Sequence, residues 1–263
     1  MDDADIKARF ELAKQVVAEA AALALAYSRD LASLTVQQKG PQDVVSEADK
    51  AVEDLIASRI AARFPEDGFV GEETGIHSGG EGVWVVDPID GTQNFLLGLP
   101  TWCVSIAFVA DGDLAFGFIT SPITDDRFSA RRGHGATWND TPVHASSATS
   151  LSEGVTCIGH SSKAVPADVA LMIERLTSAG GAFRSLGSGA LMLVYVASGQ
   201  CLGYLESYIN GWDCLAAICI VNEAGGRTND FLAQYGPAGH GPIIAAAPGV
   251  FDQLAALMPP DAP

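Results

Sequence analysis

The chain is poor in positive charge. Its 263 residues carry 15 Lys and Arg against 32 Asp and Glu, a formal net charge of −17. A surface this acidic repels nucleic acid and anionic membrane, so neither is expected as a partner. It also repels a phosphorylated ligand unless divalent cations reverse the local potential. Cysteine is scarce and unpatterned: Cys103, Cys157, Cys201, Cys214 and Cys219 sit in apolar runs and form no C-x-x-C pair. That pattern argues against structural zinc and for buried free thiols in a reducing compartment. The five histidines (His77, His134, His144, His160, His240) lack metal-site spacing and read as surface or loop residues. No long apolar run occurs. The stretch at residues 16–27 carries Glu19 and is shorter than the about 20 residues that cross a bilayer. The opening Met1-Asp2-Asp3-Ala4-Asp5 is opposite in charge to a signal peptide, so a cytoplasmic location is expected. There is no internal repeat and no low-complexity segment.

What is present is enough for a large core. Hydrophobic residues make up 48% of the chain, and a chain of this length buries roughly 70–75% of its unfolded surface. Helical spacing runs from about residue 6 to 31, and Lys39-Gly40-Pro41 breaks it. Ser46, with Asp49 three residues on, opens a second helix to Arg63, which Phe64-Pro65 stops. A short strand at residues 69–73, a turn from Ser78 to Gly82 and a strand at 83–86 follow. Residues 103–109 and 114–119 read as a hairpin around Asp111-Gly112-Asp113. Another strand-like piece at 127–130 precedes a turn at Gly133–Gly135. From about Leu151, strands at 155–159, 182–186 and 203–206 alternate with helices at 166–179, 189–198 and 212–224, the pattern of an α/β lobe. The expected class is α/β, in two lobes: 1–148, an α+β lobe, and 149–263, an α/β lobe that completes the site. Pro259–Pro263 reads as a frayed tail.

Several acids fall at the ends of these elements, where loops meet and sites form. In Trp84-Val85-Val86-Asp87-Pro88-Ile89-Asp90-Gly91-Thr92, an apolar strand runs into two aspartates bracketing a proline. Pro88 is expected to end the sheet, leaving Asp87 and Asp90 in the crevice beyond it. Carboxylates there suit hard cations, and N–H groups at the following helix start suit phosphate. The same string also fits an Asx turn followed by an ordinary N-cap. Asp49 and Asp213 sit in first helical turns, where the macrodipole alone favours an acid. Glu72 and Glu73 alternate faces at a strand end, so at most one normally points inward.

Together these segments carry a resemblance. Asp43-Val44-Val45-Ser46-Glu47-Ala48-Asp49, Gly71-Glu72-Glu73, Trp84 through Phe95, and Trp212-Asp213 through Gly226 resemble the successive signatures of the inositol monophosphatase family, in order. The resemblance implies a layered αβαβα sandwich and a lithium-sensitive, Mg²⁺-dependent phosphatase, usually a homodimer, with two or three ions per site. Carried over residue by residue, it gives Glu72, Asp87 and the Ile89 carbonyl to one ion, and Asp87, Asp90 and Asp213 to a second. Gly91 and Thr92 would present N–H groups to the substrate phosphate. Thr92 and Asp49 would orient the attacking water, with Glu72 and Glu73 beside it.

The resemblance places the rest of the substrate site on Asp90, Asp213, Glu206 and the segment Gly187-Ser188-Gly189. Glu206 lies seven residues before Asp213, the family spacing for a carboxylate that contacts substrate hydroxyls; a strand-end acid explains it equally well. Ser207-Tyr208-Ile209-Asn210 depart from the family wording, and Gly189 replaces an alanine. From Leu151 onward the only cations are Lys163, Arg175, Arg184 and Arg227. That scarcity favours a small monoester with one phosphate over a bisphosphate. Inositol monophosphate is the first expectation and histidinol phosphate the alternative. A phosphatase-like protein that mainly binds a macromolecule is the rival of a different class.

Overall fold

Three blocks of apolar side chains hold five layers together. The structure, a computed structural model, describes residues 1–260 apart from 41, 42, 78 and 81. The expected breaker Pro41, the turn residues Ser78 and Glu81, and the last three residues of the expected tail lie outside the described residues. Helix α1 (Asp3–Ser28) starts where the Asp2 carboxylate accepts the Asp5 N–H at 2.8 Å. Strands β1 (Val36–Gly40) and β2 (Asp43–Ser46) form an antiparallel pair not foreseen from the sequence. A reciprocal capping box between Ser46 and Asp49 then sets helix α2 (Glu47–Arg63).

Strands β3 (Gly68–Gly71), β4 (Gly75–His77) and β5 (Gly82–Asp90) come next, then the short helix α3 (Thr92–Leu96). Strands β6 (Cys103–Ala110), β7 (Asp113–Ser121), β8 (Asp126–Arg131), β9 (Ala136–Trp138) and β10 (Thr141–Pro142) complete an eight-stranded sheet of order β10-β9-β8-β7-β6-β5-β3-β4. Asp111 and Gly112 turn the β6–β7 hairpin with positive φ, 55° and 78°, as a two-residue loop requires.

The second half runs β11 (Val155–Ile158), α4 (Pro166–Ser178), β12 (Ala182–Arg184), α5 (Gly189–Ala197), β13 (Gly203–Asn210) and α6 (Gly211–Glu223). Four short elements follow, unforeseen: β14 (Arg227–Thr228), α7 (Phe231–Tyr235), β15 (His240–Ala246) and α8 (Phe251–Ala255). Five strands form a sheet of order β12-β11-β13-β15-β14, parallel through β13 and antiparallel beyond it. Fraying at Pro259 is not observed. That residue is buried, and Arg175 Nη1 donates to the carbonyls of Leu257 and Met258 at 3.1 and 2.6 Å.

Period-two alternation in the large sheet feeds two cores at once. On β6, Val104, Ile106 and Phe108 pack under α1 and α2, while Cys103, Ala107 and Val109 face α5 and α6. A third core lies between the small sheet and helices α4 and α8. The order is therefore helix, sheet, helix, sheet, helix. Gly117 makes the central contact possible, because a Cβ there would overlap the Ala216 backbone of α6. We propose that 1–148 and 149–263 act as two lobes of one unit, since α5 and α6 of the second lie on the sheet of the first.

Pro88 does not end the sheet. Strand β5 runs on to Asp90, with a register shift between Asp87 and Asp90 against β6. Proline is tolerated at such a bulge because one residue there is unpaired anyway. The shift has a chemical consequence. Residues three apart on a regular strand face opposite sides, and the extra residue returns Asp90 to the side of Asp87, which is the side of α6.

Candidate active site

Asp87 shares the face of Val85, so it points toward α6, whose first turn carries Asp213. Carboxylate oxygens of Asp87, Asp90 and Asp213 lie within 4.8 Å of one another. Each is also held from behind. Asp87 accepts the Ile89 N–H at 2.9 Å. Asp90 accepts from the Ser188 hydroxyl and from the N–H groups of Ala190 at 2.9 Å and Gly189 at 3.3 Å, so it caps α5. Asp213 accepts the Asn210 N–H at 3.1 Å and its amide at 3.0 Å, capping α6.

Burial and mutual repulsion make the cluster a poor place for three negative charges. Burial pushes the Asp87 carboxyl well above the usual carboxylate range, with Glu72, Asp90 and Asp213 adding to the rise. Asp90 is pushed up to about 7, by burial first and then by Asp213. Burial also raises Asp213 and Asp49. Either protons or cations must balance such a group. The donors are all oxygens, which suits a hard divalent ion such as magnesium rather than zinc.

The other expected residues surround this cluster. Asp49 is fully buried and accepts from three donors on two residues: the Ser46 N–H at 2.8 Å, the Ser46 hydroxyl at 2.6 Å and the Thr92 hydroxyl at 3.1 Å. The first-turn acid and the site acid are thus one residue. Thr92 Oγ1 also lies 3.0 Å from the Ile89 carbonyl. Glu72 continues the β3–β5 ladder, its N–H on the Val86 carbonyl at 3.3 Å. Glu72, Glu73, Gly91, Thr92, Lys163 and Asp213 line one open cleft of about 610 Å³. Gly91 holds a left-handed φ of 91°, and a Cβ there would come within 3.1 Å of the carbonyls of Thr101 and Gly187.

A smaller recess of about 150 Å³ opens beside Asp90 and Asp213, lined by Gly187, Ser188, Gly189, Glu206, Tyr204 and Tyr208 among others. Glu206 is no strand-end acid, since β13 runs on to Asn210. It is buried, accepts the Tyr204 hydroxyl, and burial raises it to about 8. Strands β11 and β13 run parallel, so the loop after Ile158 comes to the same end as Glu206. That loop carries His160 and Ser161, which border both cavities.

Three residues at the site escape a reading of the sequence. His160 has no motif; only the β11–β13 pairing brings it here. Asn94 ties α3 to the Leu186 and Thr101 carbonyls at 2.7 and 2.8 Å, and its place inside the 84–95 string was the available signal. Glu53 is fully buried and accepts the N–H groups of Glu73 at 3.0 Å and Thr74 at 2.7 Å. Its signal was the four-residue step from Asp49 along one helix face.

Comparison with known proteins bears on the family and the fold. A model of the inositol monophosphatase family matches residues 5–258. The chain is similar to an inositol-1-monophosphatase of Mesorhizobium japonicum, 34% identical over 90% of this chain and 92% of that one. It is similar also to the Nus factor SuhB of Haemophilus influenzae, 37% identical over 82% and 83%. Among solved structures, the extragenic suppressor protein suhB of Bartonella henselae superposes with a TM-score of 0.89, 30% identical over 97% of this chain and 99% of that one. The protein belongs to the inositol monophosphatase family of phosphomonoester hydrolases.

Proposed function

We propose that the protein hydrolyses a small phosphate monoester, with inositol monophosphate the best-supported substrate. The observation that carries this is the convergence of Asp87, Asp90 and Asp213, with Asp213 lining both the cleft and the recess and Asp90 lining the recess. In this reading Glu72, Asp87, Asp90, Asp213 and the Ile89 carbonyl hold two or three Mg²⁺ ions. When bound, the ions supply positive charge that lowers the pKa of a nearby water and neutralises the phosphoryl oxygens. The chain supplies position and electrostatics. Asp49, fixed by Ser46, holds the Thr92 hydroxyl, and that pair orients the water. N–H groups of Gly91 and Thr92 meet the phosphate. Glu206, with Tyr204 behind it, receives the alcohol. A homodimer, lithium sensitivity and a cytoplasmic location belong to the same proposal.

One observation favours histidinol phosphate as the second reading. The recess pairs Glu206 with the Tyr208 ring, which stacks on His240 at 4.7 Å. An aromatic wall beside a carboxylate suits an imidazole with an ammonium group. The two relatives' names divide between an enzyme and a Nus factor, so names do not decide between turnover and macromolecular binding. The acid cluster favours turnover, because binding a macromolecule has no use for three buried carboxylates facing one another.

A panel of phosphate monoesters assayed with Mg²⁺, with and without Li⁺, tests the proposal. Mg²⁺-dependent turnover that Li⁺ inhibits is expected, and no turnover of any ester would overturn it. Glu206→Gln then separates the two substrates. Above pH 8, where Glu206 is ionised, a hydroxyl that loses this acceptor drops kcat/KM about tenfold. An ammonium that loses its counter-ion drops it by about a hundredfold or more. Equal losses on both esters would remove Glu206 from substrate recognition.

A further inference from the structure

We infer that Glu53 is a positioning residue for the Glu72-Glu73 segment, and that through it α2 sets how tightly the site takes a divalent cation. The inference rests on the reading of Glu72 as a cation ligand.

Glu53 has 0% of its surface exposed and does not line the cleft. Among the described residues no Lys or Arg pairs with it. Its carboxylate is instead spent on two successive backbone N–H groups, Oε2 on Glu73 at 3.0 Å and Oε1 on Thr74 at 2.7 Å. Burying an unpaired carboxylate is costly, and a leucine would fill the same space without that cost. What a carboxylate supplies and a leucine cannot is a pair of acceptors that fixes two consecutive peptide planes. Those planes set the direction in which Glu72 and Glu73 leave the backbone.

Position 71 is matched to this role. A Cβ on Gly71 would lie 2.5 Å from the Glu53 carboxyl, so the carboxylate reaches the loop only past a glycine. The segment is gripped from its other side too, by the Glu72 N–H on the Val86 carbonyl, next to Asp87. Helix α2 thus serves both halves of the site from one face. Asp49 holds Thr92, and Glu53, one turn on, holds the loop of Glu72. Residues that hold metal ligands in place typically change metal affinity 10–100-fold when mutated.

The test uses the full chain and Mn²⁺ as a spin-active stand-in for Mg²⁺. Glu53→Gln keeps the shape, loses one acceptor and turns a donor toward the loop. It is expected to weaken Mn²⁺ binding, read by electron paramagnetic resonance, by about tenfold or more. Amide hydrogen exchange at Glu73 and Thr74 should quicken, while the midpoint of half-maximal Mg²⁺ rises and kcat at saturating Mg²⁺ stays within a few-fold of wild type. Gly71→Ala, which drives a methyl into the same carboxylate, should reproduce the pattern if a Glu53 variant fails to fold. A lower melting temperature with unchanged Mn²⁺ affinity would assign Glu53 to stability alone and overturn the inference. Unchanged exchange at Glu73 and Thr74 would overturn it as well. Absence of turnover in the wild type would remove the proposed function but leave the binding and exchange measurements able to decide the role of Glu53.

Discussion

Replacing Asp90 by Asn is expected to cost about three orders of magnitude or more in kcat/KM, some 4 kcal/mol of transition-state stabilisation, while making the metal-free protein more stable at pH 8. The two effects have one cause. Asp90 sits in a buried cluster that burial and Asp213 hold near neutrality, up to about 7. An ionised carboxylate there is useful to a cation and harmful to the fold. Asparagine keeps most of the local bonding. Its oxygen can take the position that accepts Ser188 and Ala190, and its amide faces Gly189, whose N–H bond is the long one at 3.3 Å. That amide can also donate toward Asp87 and Asp213. The negative charge is what disappears. Activity is read on a phosphate ester with Mg²⁺, and stability by thermal melting in EDTA. Full activity in the variant would sink the assignment of Asp90. A loss of activity with a lower melting temperature would instead mean that Asp90 matters as the cap of α5. This is the stability cost that functional sites commonly carry.

How far the sequence shows this site depends on how local each placement is. Asp87 is legible because an apolar run followed by an acid is a strand end. Asp49 and Asp213 are legible because a helix start fixes where its third residue points. The orientation of Asp90 is not, since it depends on a bulge against β6, and Pro88 taken alone argues that the strand has stopped. Glu53 is hidden for a related reason. A glutamate inside a helix looks the same whether solvent or a loop receives it, and only the docking of α2 against Gly71 and the Glu73-Thr74 loop shows where this one goes. The recess is the least legible part. Glu206 and His160 meet because β11 and β13 pair in parallel, a contact that spans more than forty residues and leaves no spacing to read. The layered architecture is clear in outline from the alternating blocks. Short elements such as β14 and α7 exist through tertiary pairing and carry little pattern of their own.

The metal-free protein should lose stability as pH rises, and Mg²⁺ should offset the part of that loss that belongs to the aspartate cluster. Asp90 has its folded pKa raised from 3.8 to about 7, and Glu206 from 4.5 to about 8, both buried. Asp49, Asp87 and Asp213 are raised as well. A raised folded pKa means that the folded state binds more protons than the unfolded one. Stability is then highest below the unfolded pKa and falls as pH climbs through the folded value. From pH 5.5 to 8 the shifts of Asp90 and Glu206 alone amount to about 5 kcal/mol at 1.36 kcal/mol per unit. For a chain of this size that is on the order of 10 °C in melting temperature. A divalent cation binds the ionised cluster and competes with protons for it, so its stabilising effect grows with pH. Melting curves in EDTA and in millimolar Mg²⁺ across pH 5.5–8.5 should diverge as pH rises, steep without the cation and shallower with it, Glu206 supplying the slope that remains. Asp90→Asn should flatten the EDTA curve in part and blunt the response to Mg²⁺, because it removes a titrating group and a ligand together. A melting temperature in EDTA that stays level or rises over this range would show that the three aspartates are not held as the geometry of Asp87, Asp90 and Asp213 requires. A strong Mg²⁺ effect at pH 5.5 as large as that at pH 8 would place the cation elsewhere on this acidic surface.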